Sequence, residues 1–192
     1  MQTHNLLENQ LSRDEQQTLR NKRAGMFIFQ VSWIMAFLCM VVVNWQLRFS
    51  SNWKPEGTPE ASPMIGALAT VALVISTALV WRSVSAIRAD AVQPFLIQWL
   101  GTIGLGLLFV GMMLYEWVSI QTGTKYSLTF RLMTGFHMVH ALVIGGYMLG
   151  VYFNARQGTY DSVNNWAIEA GAKLWTFVLV AWMIFYVVIY WV

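Results

Sequence analysis

Three side chains in this sequence are of types that do chemistry, and they sit where charge is rare. Glu116 is the only acid set deep inside a long apolar run. His137 and His140 lie on the next apolar run. At about 100° per residue, His-x-x-His puts both imidazoles on one helix face. Three chemistries suit an acid beside two histidines. One is a structural polar clasp, because polar groups buried in hydrocarbon are paired. Another is a proton relay, because imidazole titrates near neutrality. The third is a metal site with Glu116 as a third ligand. No Ser-His-Asp set is available, since the remaining histidine, His4, lies in the polar N-terminal tail. No phosphate-binding loop occurs.

The elements that position these residues follow from composition. The chain has 192 residues, 57% hydrophobic and 11% charged. Soluble domains carry about 25% charged residues, so this chain has too few to cover a soluble surface. The apolar residues form five runs, at about 25–45, 63–81, 94–120, 132–153 and 174–192. Each covers ~30 Å of hydrocarbon at 1.5 Å per residue. Backbone in lipid must satisfy its own hydrogen bonds, so the runs are helices. The expected fold is all-α, an integral membrane bundle of five transmembrane helices. A polar segment, 1–23, precedes a single transmembrane domain, 24–192. Ser12-Arg13-Asp14-Glu15 fits a capping box, which predicts a helix from Ser12 into the first span. The first run is too long for a signal-peptide core and is expected to stay in the mature protein.

Five spans put the termini on opposite sides. Arg13, Arg20, Lys22, Arg23, Arg82, Arg88, Arg156 and Lys173 flank one side; Arg48, Lys54, Lys125 and Arg131 flank the other. The positive-inside rule then puts the N-terminus in the cytoplasm and the C-terminus outside. Trp45, Trp53, Trp81, Trp117, Trp166 and Trp191 fall near span ends, as interfacial anchors do. The net charge of +3 is no sign of nucleic-acid binding in such a chain. The lone Cys39 allows no intrachain disulfide and no cysteine metal cluster.

This topology gives depths. Glu116 lies ~7 Å below the outer boundary, His137 ~9 Å and His140 ~14 Å. Glu116 and His137 share a layer on helices joined by a loop of roughly nine residues. Glu116 is therefore expected to bond to His137, His140 or Arg131. Gly146 and Gly150 lie on a different face of the fourth span, a small-xxx-small face expected to pack a second helix closely.

Several stretches resemble subunit III of the haem-copper terminal oxidases. Thr134-Gly135-Phe136-His137-Met138-Val139-His140 is similar to that family's T-G-F-H-x-x-H signature. Tyr115-Glu116-Trp117 resembles its serine-glutamate-aromatic element. Glu169, followed by Trp175, Phe177, Val178 and Trp182 and the terminal Ile189-Tyr190-Trp191, resembles its C-terminal pattern. Gly25-Met26, Phe29 and Ser32 resemble an earlier helix. Trp33, Thr176 and Leu179 stand where the family has a glutamate, a histidine and an aspartate. Five spans fit the family's short form.

The resemblance implies an accessory role in aerobic respiratory electron transport in a bacterial inner membrane. Such a subunit carries no catalytic centre and no haem or copper; those belong to partner subunits. It packs on catalytic subunit I and binds phospholipid. Cytochrome c is the expected donor of the complex. The rivals are the matching subunit of a quinol oxidase and a five-span protein associated with nitric oxide reductases. From another class, a small transporter or an intramembrane metal enzyme would centre on Glu116, His137 and His140.

Overall fold

The computed structural model describes residues 12–191. His4 and the start of the N-terminal segment lie outside them. Five helices occur in order: α1, Arg13–Arg48; α2, Pro63–Arg88; α3, Val92–Ser119; α4, Lys125–Arg156; and α5, Trp166–Tyr190. All five are long and apolar enough to cross a membrane. Each contains its expected apolar run, apart from a residue or two at the ends.

The helices outrun the apolar runs where caps start them early. Ser12 accepts the Glu15 N–H and Glu15 returns to the Ser12 N–H at 2.9 Å, so the capping box forms. α1 then runs unbroken for 36 residues, about 54 Å at 1.5 Å per residue. Thr124 and Ser127 form a second box at the start of α4. That box shortens the α3–α4 connection to residues 120–124, against the roughly nine residues expected. At the other end of α3 the turn from α2 is as short, with Asp90 at φ 54°.

α2, α3, α4 and α5 close into a ring, each packed on two neighbours. Indole donors key the ring together. Trp175 donates to Ser76 Oγ at 2.9 Å, and Trp182 to Thr70 Oγ1 at 2.8 Å, both from α5 to α2. Trp99 on α3 donates to the Met148 carbonyl of α4 at 2.8 Å. An indole N–H buried in hydrocarbon needs such a partner. Gly106 lets α3 lie against the Trp175 ring; a methyl there would overlap it. Gly66 does the same for α5, since a methyl would meet Tyr186 and Tyr190 at 2.9 Å.

α1 lies outside the ring against α5 and α4. With Ala36, Val41, Leu47 and Arg48 at its margins, a stripe of less exposed positions runs through Gln16, Leu19, Arg23, Met26, Gln30, Trp33, Phe37, Met40 and Asn44. They alternate by three and four residues, one stripe on one face. The rest of α1 carries exposed apolar side chains, as a lipid-facing surface does.

One expectation about packing fails. Gly146 and Gly150 are exposed, and a methyl on either would meet nothing within 4 Å. Among the described residues no helix packs on that face of α4. The close approaches fall at Gly66 and Gly106 instead, because α4 meets α3 and α5 on its other sides.

Candidate functional site

Glu116 sits in the last turn of α3 and is 3% exposed. Oε1 accepts the Ser62 N–H at 2.6 Å, and Oε2 accepts the Tyr190 hydroxyl. Ser62 is the N-cap of α2, and its own side chain makes no capping bond. The Glu116 carboxylate instead bonds the N-cap's own N–H, the role the N3 acid plays in a capping box. It supplies an acceptor for a free backbone donor and a negative charge at the positive end of the helix dipole. One residue earlier, the Ala61 N–H donates to the Tyr126 hydroxyl of α4 at 3.0 Å. The start of α2 is thus held by side chains of α3, α4 and α5.

These are not the partners expected for Glu116. Neither histidine nor Arg131 bonds to it; the acceptor atoms are taken by Ser62 and Tyr190. The reason is azimuth. Successive residues on a helix diverge by about 100°. Glu116 points toward α2, and Trp117 points toward α4. Trp117 donates to the Arg131 carbonyl at 3.0 Å, and the Arg131 guanidinium lies 4.5 Å from the Trp117 ring centre. Gly135 faces the same indole. The α3–α4 layer at this depth is filled by an aromatic side chain.

His137 is 1% exposed, and neither ring nitrogen meets a hydrogen-bond partner among the described residues. Four rings from three other helices, α1, α3 and α5, enclose it. Phe37, Phe109, Trp182 and Phe185 have centroids 5.8, 5.5, 5.7 and 6.0 Å away. His140 points toward α1. Its Nδ1 lies 2.7 Å from the Phe136 carbonyl, and its ring meets the Trp33 edge at 4.5 Å. Phe37 joins the two histidines to Phe136 and Phe177. The three residues singled out in sequence are therefore split. The histidines share an aromatic cluster, and Glu116 stands apart from both. No three His, Cys, Asp or Glu side chains converge as metal ligands among the described residues.

The remaining signature residues of α5 run from Glu169 at the far end of the ring to Trp182, which reaches Thr70 near the start of α2. Glu169, 9% exposed, pairs with Lys173 at 2.8 Å and with Arg88 of α2 at 3.6 Å. Lys173 also lies 5.6 Å from the Trp166 ring centre. Trp175 and Trp182 face inward from α5, and Phe177 faces α1, against Trp33 and Phe37. Thr176 accepts the Trp81 indole at 2.9 Å, and Leu179 packs on the core. Trp33, Thr176 and Leu179 thus fill their places with aromatic, hydroxyl and aliphatic contacts. A groove of about 330 Å³ runs between α1 and α5, walled by Phe27, Ile34, Leu38, Val180 and Ile184, with Gln30, Thr176 and Lys173 also lining it.

Sequence reasoning missed Ser62, Tyr126 and Phe37, and it noted Tyr190 only as part of a pattern. Ser62-Pro63 carried a signal, since serine before proline is a common helix start. Phe37 carried none beyond its place on the α1 stripe.

The geometry defines a class: an all-α, multi-pass membrane bundle whose embedded carboxylate is bonded to the start of a neighbouring helix. The chain belongs to the cytochrome c oxidase subunit III family, whose sequence profile matches residues 8–192. It is 29% identical over 143 residues to cytochrome c oxidase subunit 3 of a Synechocystis species, covering 72% of this chain and 61% of that protein. The Thermostichus vulcanus protein of the same name is 27% identical over 171 residues, covering 86% and 85%. The Marchantia polymorpha protein is 32% identical over 182 residues, covering 88% and 68%.

Proposed function

We propose that this chain is the non-catalytic subunit III of a bacterial haem-copper cytochrome c oxidase, stabilising the catalytic subunit and binding lipid. Its N-terminus is cytoplasmic and its C-terminus outside, as the cation distribution requires. Haem and copper reside on partner subunits, and catalytic subunit I is the neighbour it steadies. The cyanobacterial relatives support a bacterial inner membrane. The α1–α5 groove supports lipid binding, because an acyl chain fits its apolar walls and Gln30 and Lys173 offer donors to a headgroup.

The observation that carries this reading is the engagement of Glu116. A relay working near neutral pH needs a carboxylate facing a partner that titrates in that range, as imidazole does. Both oxygens of Glu116 are instead committed to Ser62 and Tyr190. That arrangement supports a structural clasp. The test is purification of the assembled complex from its own membrane, with and without Glu116→Gln. The expected complex contains two haems and copper. Glu116→Gln lowers the yield of assembled complex while initial turnover per haem stays unchanged. A partner with haem and non-haem iron, or normal assembly with abolished initial turnover, overturns the reading.

A further inference from the structure

Charge within α3 and α4 is confined to Glu116, Lys125, Arg131 and Arg156. Glu116 turns toward α2. Lys125 donates to Ser50 Oγ at 3.0 Å and to the Ser51 carbonyl at 2.9 Å. Arg156 ends α4 at the opposite end of the bundle. Arg131 is left as the one uncompensated charge where the two helices face away from the ring. Its guanidinium lies 4.5 Å from the Trp117 ring centre, in the α3–α4 seam, and the Trp117 indole donates to the Arg131 carbonyl at 3.0 Å. Gly135 makes room for that indole, since a methyl there would come within 3.3 Å of its nitrogen. Arg131 Nε is buried against the seam and meets no acceptor, and no carboxylate among the described residues pairs with the guanidinium. The side chain is half-buried, so its outer donors point away from the chain.

The surface around this cation is apolar. Leu114 and Val118 of α3 and Leu128 and Leu132 of α4 are exposed beside it. On α4, Leu142 and Gly146 follow Arg131 within about 60° of its direction. Gly104 and Gly111 of α3 and Gly146 and Gly150 of α4 are exposed with open space beside them. By contrast, α2 and α5 bury Gly66 and Gly171, and α2 turns Leu68, Val71 and Ile75 outward. The notches on α3 and α4 let another helix come close enough for its side chain to reach Arg131. A guanidinium held against a ring presents its free donors as a fork matched to a carboxylate. A mobile lipid headgroup needs neither a fixed fork nor a notched face. Arginine and tryptophan are also the side chains that anchor protein interfaces. We propose that the outward α3–α4 face docks a transmembrane helix of the catalytic subunit, through a carboxylate of that helix paired with Arg131. Naming the catalytic subunit as the owner of the helix rests on the proposed function; the carboxylate rests on Arg131 alone.

Site-directed photocrosslinking in the native membrane tests this. Benzoylphenylalanine replaces Leu132, 55% exposed beside Arg131, or Val71, 54% exposed on the outward face of α2, as control. After irradiation the complex is purified, its haems are read from the optical spectrum, and the crosslinked peptides are sequenced by mass spectrometry. The expected result is a crosslink from position 132 to a span of the haem-bearing subunit, with an aspartate or glutamate within about two helical turns of the attachment point. Position 71 gives no such crosslink. Arg131→Glu is expected to lower both the crosslink yield and the amount of chain retained on the complex severalfold, and replacing the partner acid by lysine restores them. Crosslinks from position 132 to lipid alone, to a second copy of this chain, or to a span without an acid in reach overturn the docking. They do so even in a complex with two haems and copper, which leaves the proposed function standing. Retention of Arg131→Glu at the unsubstituted level overturns the ion pair. A crosslink to an acid-bearing span of a protein without haem overturns the assignment to the catalytic subunit, together with the proposed function, and upholds the carboxylate.

Discussion

Glu116 and Glu169 stand at opposite ends of the same four-helix ring, and each meets the end of α2 nearest to it. Glu116 is held at the N-cap of α2 through neutral donors, the Ser62 N–H and the Tyr190 phenol. Glu169 meets the last residue of α2 through charge, with Arg88 and Lys173 around it. The donors at Glu116 are fixed by a helix terminus and a packed ring. The cations at Glu169 sit on flexible stems, with side chains 36% and 37% exposed. A carboxylate bonded by fixed, buried dipoles is insensitive to salt, whereas exposed cations are screened within about a Debye length of 8–10 Å. The two ends of α2 are thus tied by interactions of different strength and different conditions of failure. Both residues resemble the same family pattern in sequence, yet what faces each one decides what it does.

The largest effect is expected for Glu116→Leu. It removes the one acceptor that the Ser62 N–H and the Tyr190 hydroxyl have among the described residues, leaving two part-buried donors unpaired. Each unpaired donor costs about 1–3 kcal/mol. Unfolding of the detergent-solubilised chain, followed by tryptophan fluorescence, should show a loss of about 2–5 kcal/mol. A loss no larger than that of a surface substitution would break the contrast between the two ends. Tyr190→Phe should come next, at about 1.5–3 kcal/mol, the worth of a hydrogen bond to a charged group. It keeps the ring that packs over Gly66, so the measurement isolates the hydroxyl. If Tyr190→Phe is neutral, Ser62 alone holds the carboxylate and the clasp joins two helices rather than three.

The parts of this structure that were legible in sequence are those governed by distance along a helix axis. Five apolar runs became five helices because lipid offers the backbone no other partner. The Ser12–Glu15 box set the start of α1. Place along the helix was legible as well: Glu116 lies in the last turn of α3, and the histidines lie on α4 beyond its first turns. What spacing could not supply was rotation about the axis. Turning Glu116 toward α2 rather than α4 depends on how all four helices meet, and that is set by shape, as at Gly106 beneath Trp175. The glycines show the same limit. Gly66 and Gly106 are seats for rings, and Gly146 and Gly150 face nothing among the described residues. In hydrocarbon, a lipid-facing surface and a helix-facing surface have similar polarity, so residue type does not separate them.

The smallest effect is expected at the other carboxylate, and it sharpens the contrast most. Glu169→Gln keeps the size and the acceptor oxygen but removes the charge facing Lys173 and Arg88. The two cations are partly exposed and remain hydrated when unpaired, so the loss is at most about 1 kcal/mol. It should also depend on conditions. Measured at low ionic strength, Glu169→Gln should be less stable than the unsubstituted chain. In about 1 M salt, where the Debye length falls to about 3 Å, the difference should vanish. The Glu116→Leu penalty, measured in the same two buffers, should not move, because fixed donors behind a packed ring are not screened. If the Glu169 penalty persists at high salt, or exceeds that of Tyr190→Phe, then Lys173 and Arg88 hold Glu169 as a buried unit. Both ends of α2 would then be clasped alike.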